Sequence, residues 1–151
     1  MKDSLLSLLS NKTFQINFLV YSSLLTFLGR QLDRGITNFD GAYYAIKARE
    51  IFSSDSLWVV TWNGTAHFFD NPPLPFWLTG LIYKVFGVSG YGAVFCSAIF
   101  GVLIVFLTYS LCNYLYKDNW TSFLAAFVLL FPGLFLDSSR RAMLDITLAF
   151  F

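Results

Sequence analysis

A chain of 151 residues that is 56% hydrophobic, 20% aromatic and 13% charged has too little interior to hide its apolar surface as a soluble domain. Its formal net charge of +1 leaves no basic stripe for nucleic acid and no acidic tail. Cys96 and Cys112 both fall in the longest apolar run, where they read as small core residues and not as a disulfide or metal pair.

The charges are segregated along the chain. The first apolar segment, Thr13 to Gly29, holds 17 residues between Lys12 and Arg30, near the lower limit for a helix crossing the hydrocarbon layer. Gln15 and Asn17 near its start suit headgroup depth. A cleaved signal peptide shares the basic start and apolar stretch, but no small-x-small site follows, so an uncleaved span is expected. Charge and aromatic residues then interleave from Arg30 to Asp70. Within that region residues 40–53 read as a short helix capped by Asp40. Tyr44, Ala48, Ile51 and Phe52 share one face of it, and Lys47 and Glu50 share another, the pattern of a helix lying on a membrane surface.

The charge-free run between Asp70 and Lys84 is 13 residues long, opens on Pro72-Pro73-Leu74-Pro75 and precedes Gly87. That length favours an interfacial helix over residues 73–86 instead of a span, with Trp77 and Tyr83 as headgroup anchors. Residues 93–116 give 24 uncharged positions, long enough for a transmembrane helix, with Ser97 and Gly101 permitting close approach of a neighbour. Residues 119–136 predict a further span, loosened near its end by Pro132-Gly133. A fourth begins at about residue 142 and stops at Phe151, so the chain is expected to be a piece of a longer protein and inactive alone. The predicted architecture is all-α and polytopic, with a long first loop carrying two juxtamembrane helices.

Orientation stays open on charge alone. A cytoplasmic N-terminus puts Lys2, Lys12 and Lys117 inside but Arg30, Arg34, Lys47, Arg49, Lys84, Arg140 and Arg141 outside, against the positive-inside rule. Ionisable groups near lipid nonetheless invite a functional reading. On residue chemistry alone Asp40 is a helix cap, and Asp145 an ion-pair partner of Arg141 four residues earlier.

Four blocks add to this. They are Phe39-Asp40-Gly41-Ala42-Tyr43-Tyr44-Ala45 with Ala48-Arg49-Glu50-Ile51-Phe52, then Ser54 to Gly64, then Phe69-Asp70-Asn71-Pro72-Pro73-Leu74-Pro75-Phe76-Trp77-Leu78, and last Arg140-Arg141-Ala142-Met143-Leu144-Asp145. In this order, over roughly residues 36 to 151, they resemble the N-terminal part of the glycosyltransferase C superfamily. The branch is that of dolichyl-phosphate-mannose protein mannosyltransferases and bacterial aminoarabinose transferases.

The resemblance implies a multi-pass protein of the bacterial plasma membrane with a cytoplasmic N-terminus and extracytoplasmic acidic loops. It implies a polyprenyl-phosphate sugar donor, and a lipid, glycan or protein acceptor. By the same resemblance Asp40 is the general base on an acceptor hydroxyl, and Asp145 helps to position the substrates or a metal. Arg140 and Arg141 face the lipid phosphate, and Tyr43 and Asn71 fall at substrate-binding positions. Asp70 matches an acidic position that in some members ligates a divalent metal ion, and His67 lies three residues before it. This chain departs from the pattern at Gly41, where many relatives carry a second acid, and at Asn71, where a lysine is expected. The other function class is a small non-catalytic membrane protein acting through helix packing.

Overall fold

The structure, a computed structural model, describes residues 10–29, 36, 38–53, 58–66 and 71–151. Helix α1, Lys12–Leu28, starts where Asn11 Oδ1 accepts from the amides of Thr13 and Phe14. Its buried residues are Gln15, Leu19, Ser23 and Phe27, spaced by four, so one stripe faces the protein. Gln15 therefore points inward, where its Oε1 accepts from the Tyr109 hydroxyl at 3.4 Å.

The central element is α4, Gly90–Tyr116, of 27 residues. At a rise of about 1.5 Å per residue it measures about 40 Å. Among the described residues it is the one unbroken helix long and apolar enough to cross a membrane. Ser89 caps its start, and Lys117 ends it in the left-handed region at φ 54°. Asp118 then caps α5, Asn119–Val128, directly, so the two helices turn back on each other through two residues. Leu19 and Phe27 of α1, Val105 and Tyr109 of α4 and Ala126 of α5 form one apolar core. The outer face of α4 leaves Leu103, Phe106, Leu107, Leu111 and Leu115 exposed. So broad an apolar surface is what lipid contact requires.

Residues 119–136 do not make a single helix. Pro132 lacks an amide hydrogen and its ring opposes a continuing helical turn, so α5 stops at Val128. A second helix, α6 (Gly133–Arg140), leaves at 71° to α5. Arg141 and Met143 are extended, and α7 runs Leu144–Phe150. The α6 turn lies close against α4 at Gly101. A Cβ there would fall 2.8 Å from Ser139 Oγ and 3.2 Å from the Phe27 ring. Such small-residue contacts replace hydrophobic collapse where lipid is the solvent.

The connection between α1 and α4 carries α2, Phe39–Glu50, and α3, Leu74–Phe86. Proline at the start of α3 removes a donor that would have no partner there, and Gly87 at φ 85° ends the helix. The two helices cross at Gly80, where a Cβ would sit 2.8 Å from the Ala48 carbonyl oxygen and 2.7 Å from the Phe52 ring. Ala48, Ile51, Phe76, Tyr83, Val94 and Leu144 close a second core between α2, α3, α4 and α7. Tyr83 is thus turned inward instead of serving as a headgroup anchor. Burial pushes its phenol up to about 12, with the Arg49 guanidinium pulling the other way. Trp77 is half-buried and meets Trp58 edge-on at 5.1 Å.

One element departs from the all-α expectation. Thr61–Trp62 and Thr65–Ala66 pair antiparallel, Thr61 with Ala66 and Trp62 with Thr65. Asn63 and Gly64 both take positive φ, the requirement of a tight two-residue hairpin turn. Glu50 holds this hairpin to α2, accepting from the Thr61 hydroxyl and from the amides of Asn63 and Gly64.

Candidate functional site

Asp40 is the second residue of α2, exposed in its first turn, where the helix dipole favours a carboxylate. It is not the cap. Asn38 holds that position, and its side chain makes no capping bond. Instead the Asn38 amide Nδ2 lies 3.5 Å from the Met143 sulfur, a contact spanning 105 residues of sequence. Met143 is also clamped from α4. Ser97 Oγ donates to the Met143 carbonyl at 3.0 Å and stands 3.2 Å from the Met143 amide, which it can accept. Asp145 follows two residues later, exposed in the first turn of α7. The Asn38–Met143 contact thus brings together the residues that precede α2 and α7, each followed two residues later by an aspartate.

The expected pairing of Arg141 with Asp145 does not form, because the chain is extended between them. Arg141 Nε bonds Asp137 Oδ1 at 2.7 Å, one turn earlier on α6. Arg140 Nε donates to the Thr26 carbonyl at 2.8 Å and fastens α6 to the end of α1. Asp145 is thereby left without the ion pair assigned to it from spacing.

On α2, Tyr43 and Lys47 follow Asp40 at intervals of three and four residues and share its side of the helix. Tyr43 stacks on Phe39 at 6.2 Å and meets the Trp62 edge of the hairpin at 5.4 Å. Lys47 was expected on a solvent face with Glu50; it is fully buried. Its Nζ bonds Asn71 Oδ1 at 3.0 Å and lies 4.0 Å over the Tyr43 ring. Buried ammonium groups require such partners, and these two join three site positions in one contact. No period-based signal marks Lys47; its spacing to Tyr43 was the only available hint.

Between α2, α3, α4 and α7 lies a cavity of about 20 Å³, lined by Tyr44, Phe76, Ser97, Met143 and others. That is room for about one water molecule and far too little for a sugar. Gly41 is buried, and a Cβ there would meet Asn38 Oδ1 at 2.5 Å, so an acid at this position requires Asn38 to move. His67 and Asp70 lie outside the described residues. Among the described residues no three carboxylate, imidazole or thiol groups converge as a metal would need.

Residues 18–151 match the family described as dolichyl-phosphate-mannose-protein mannosyltransferase. Among curated proteins, an uncharacterised protein of Aquifex aeolicus is 29% identical over 73% of this chain and 22% of its own length. A polyprenol-phosphate-mannose–protein mannosyltransferase of Mycolicibacterium smegmatis is 29% identical over 82% of this chain and 23% of its own. Another so named, from Corynebacterium glutamicum, is 38% identical over 54% of this chain and 16% of its own. The chain thus spans less than a quarter of these relatives' length. No solved structure matches significantly. With residues 18–151 matched, the chain belongs to the dolichyl-phosphate-mannose-protein mannosyltransferase family.

Proposed function

We propose that this chain is the N-terminal part of a multi-pass glycosyltransferase of the bacterial plasma membrane. The enzyme transfers a sugar from a polyprenyl phosphate to a lipid, glycan or protein acceptor on the extracytoplasmic side. Polyprenol-phosphate mannose and a protein are the donor and acceptor named for its relatives. The observation that supports this most is the Asn38–Met143 contact, which joins the residues preceding the two aspartate-bearing helices.

In this reading Asp40 takes the proton of an acceptor hydroxyl as that oxygen attacks the anomeric carbon. The new carbon–oxygen bond forms while the bond to phosphate breaks, and polyprenyl phosphate leaves with the electron pair. Attack from the side opposite the phosphate inverts the anomeric carbon. Asp145 orients the acceptor or donor at the facing helix start. Arg140 and Arg141 supply positive charge toward the phosphate, each from a side chain already steadied by a neighbour. A divalent cation at Asp70 and His67 belongs to the proposal. A hard ion such as magnesium or manganese suits the carboxylate, and no step here is routed through it.

The test is mannosyl transfer from polyprenyl-phosphate mannose by the purified complete protein. Transfer that falls on chelation and returns with magnesium or manganese supports the metal. Absence of transfer to protein, lipid and glycan acceptors alike would defeat the reading and favour a helix-packing role.

A further inference from the structure

A carboxamide presents an acceptor on one side and two donor hydrogens on the other. At Asn71 the contact with Lys47 decides which side is which. An ammonium only donates, so Asn71 Oδ1, 3.0 Å from Lys47 Nζ, is the accepting atom. The nitrogen and its two hydrogens consequently face away from Lys47. Asn71 is half-buried and stands just before Pro72 and the start of α3.

Lys47 itself is sealed, at 0% exposed, with its Nζ 4.0 Å over Tyr43 and 5.7 Å from the centre of the Phe76 ring. In surroundings of low dielectric a charged donor polarises its acceptor and strengthens what the far side of that amide can donate. The stem of Lys47 runs from the α2 side that carries Asp40 and Tyr43 to the residue that opens the α3 block. The charge missing from position 71 is thereby present one hydrogen bond behind it.

We propose that Lys47 is a positioning residue that orients and polarises Asn71 as a donor to an anionic substrate oxygen of the phosphate class. This inference rests on the proposed function. It assigns to Lys47 a role in donor affinity instead of chemistry, so loss of the ammonium weakens donor binding while the turnover of bound donor persists. A purely mechanical pin between α2 and the α3 block makes the opposite prediction.

The experiment uses the complete protein in lipid nanodiscs, with polyprenyl-phosphate mannose as the titrated probe and elution profile and melting as checks of folding. Lys47→Met and Asn71→Leu should each raise KM for the donor roughly 10- to 100-fold, the worth of a hydrogen bond to a charged group. Their kcat should stay within about threefold, the signature of lost uniform binding. The double variant Lys47→Met/Asn71→Leu should be no worse than either single, because one device has been removed. Lys47→Met/Asn71→Lys, which moves the ammonium to position 71, should bring KM back to within about fivefold of the parent, as a direct phosphate contact would. A parental KM in well-folded Lys47→Met, or no recovery on moving the charge, would overturn the proposal. If Lys47→Met does not fold, Lys47→Gln replaces it, a side chain that can donate to Asn71 Oδ1 without the charge: a raised donor KM with kcat held is expected, and a parental KM would overturn the proposal. A parent protein that transfers no sugar would instead count against the proposed function.

Discussion

Adding one methyl group at Gly80 should separate α2 from α3. A Cβ there would fall 2.7 Å from the Phe52 ring, 2.8 Å from the Ala48 carbonyl oxygen and 2.8 Å from Ile51 Cγ2. Carbon atoms prefer to approach to about 3.5–4.0 Å, so α3 must retreat by about 1 Å or more in Gly80→Ala. One of the three obstacles is main chain and cannot rotate aside, which places the cost in the upper part of the overpacking range, about 2–3 kcal/mol. At about 1.4 kcal/mol per factor of ten, undocking of α3 from α2 becomes roughly 30- to 140-fold more populated. Hydrogen exchange over residues 39–50 and 74–86 of the complete protein, read by mass spectrometry in nanodiscs, measures this opening directly. Gly133 provides the control, because it stands at the start of α6 with no atom within 4 Å of its Cβ position. Gly133→Ala should be neutral or slightly protective. Parental exchange in Gly80→Ala would refute the close helix crossing.

Three further outcomes follow from particular residues. Single cysteines at Ser53 and Lys117, both exposed and placed in a background lacking Cys96 and Cys112, report sidedness through an impermeant thiol reagent. Labelling of intact cells at 53 and not at 117 is expected, and the reverse would invert the proposed orientation. Asp118 is held below its usual range by the hydroxyl and amide of Thr121. A depressed carboxyl binds fewer protons folded than unfolded, so its stabilisation is present above about pH 4 and fades as pH falls through the folded value. Asp118→Asn should therefore show a shallower loss of melting temperature between neutral and acid pH than the parent, and identical slopes would count against the cap. Chelation should lower transfer by the complete enzyme, with recovery on adding magnesium, and activity indifferent to chelator would remove the metal from Asp70 and His67.

Features written into single residues were legible in the amino-acid sequence. Pro73 and Gly87 bracket α3 because one cannot donate and the other adopts φ 85° without strain. The uncharged length of α4 followed from counting. Asn63-Gly64 carried a hairpin signal of equal strength, which the expectation of an all-helical loop obscured. Pro132 was read as loosening a span where it separates two helices set at 71° to each other. Arg141 pairs back to Asp137 because the chain is extended from Arg141 to Met143, and i to i+4 spacing holds only within one continuous helix. Lys47 escaped because periodicity assigns lysine to solvent by default, and burial of a cation depends on partners distant in sequence. The Asn38–Met143 and Ser97–Met143 contacts join segments 105 and 46 residues apart, and no local rule reports those.

Whether the two acidic helix starts form a reacting site turns on Asp40. It is exposed and makes no capping bond, so Asp40→Asn loses only its share of the helix-dipole interaction, about 0.3–1 kcal/mol. A general base at this position would contribute roughly 100- to 10,000-fold to the rate. The deciding measurement is sugar transfer from polyprenyl-phosphate mannose to a hydroxyl acceptor by complete Asp40→Asn protein, at matched amount and matched melting temperature. A fall in kcat by at least about 100-fold with the fold intact is the predicted result. Near-parental turnover would contradict the account.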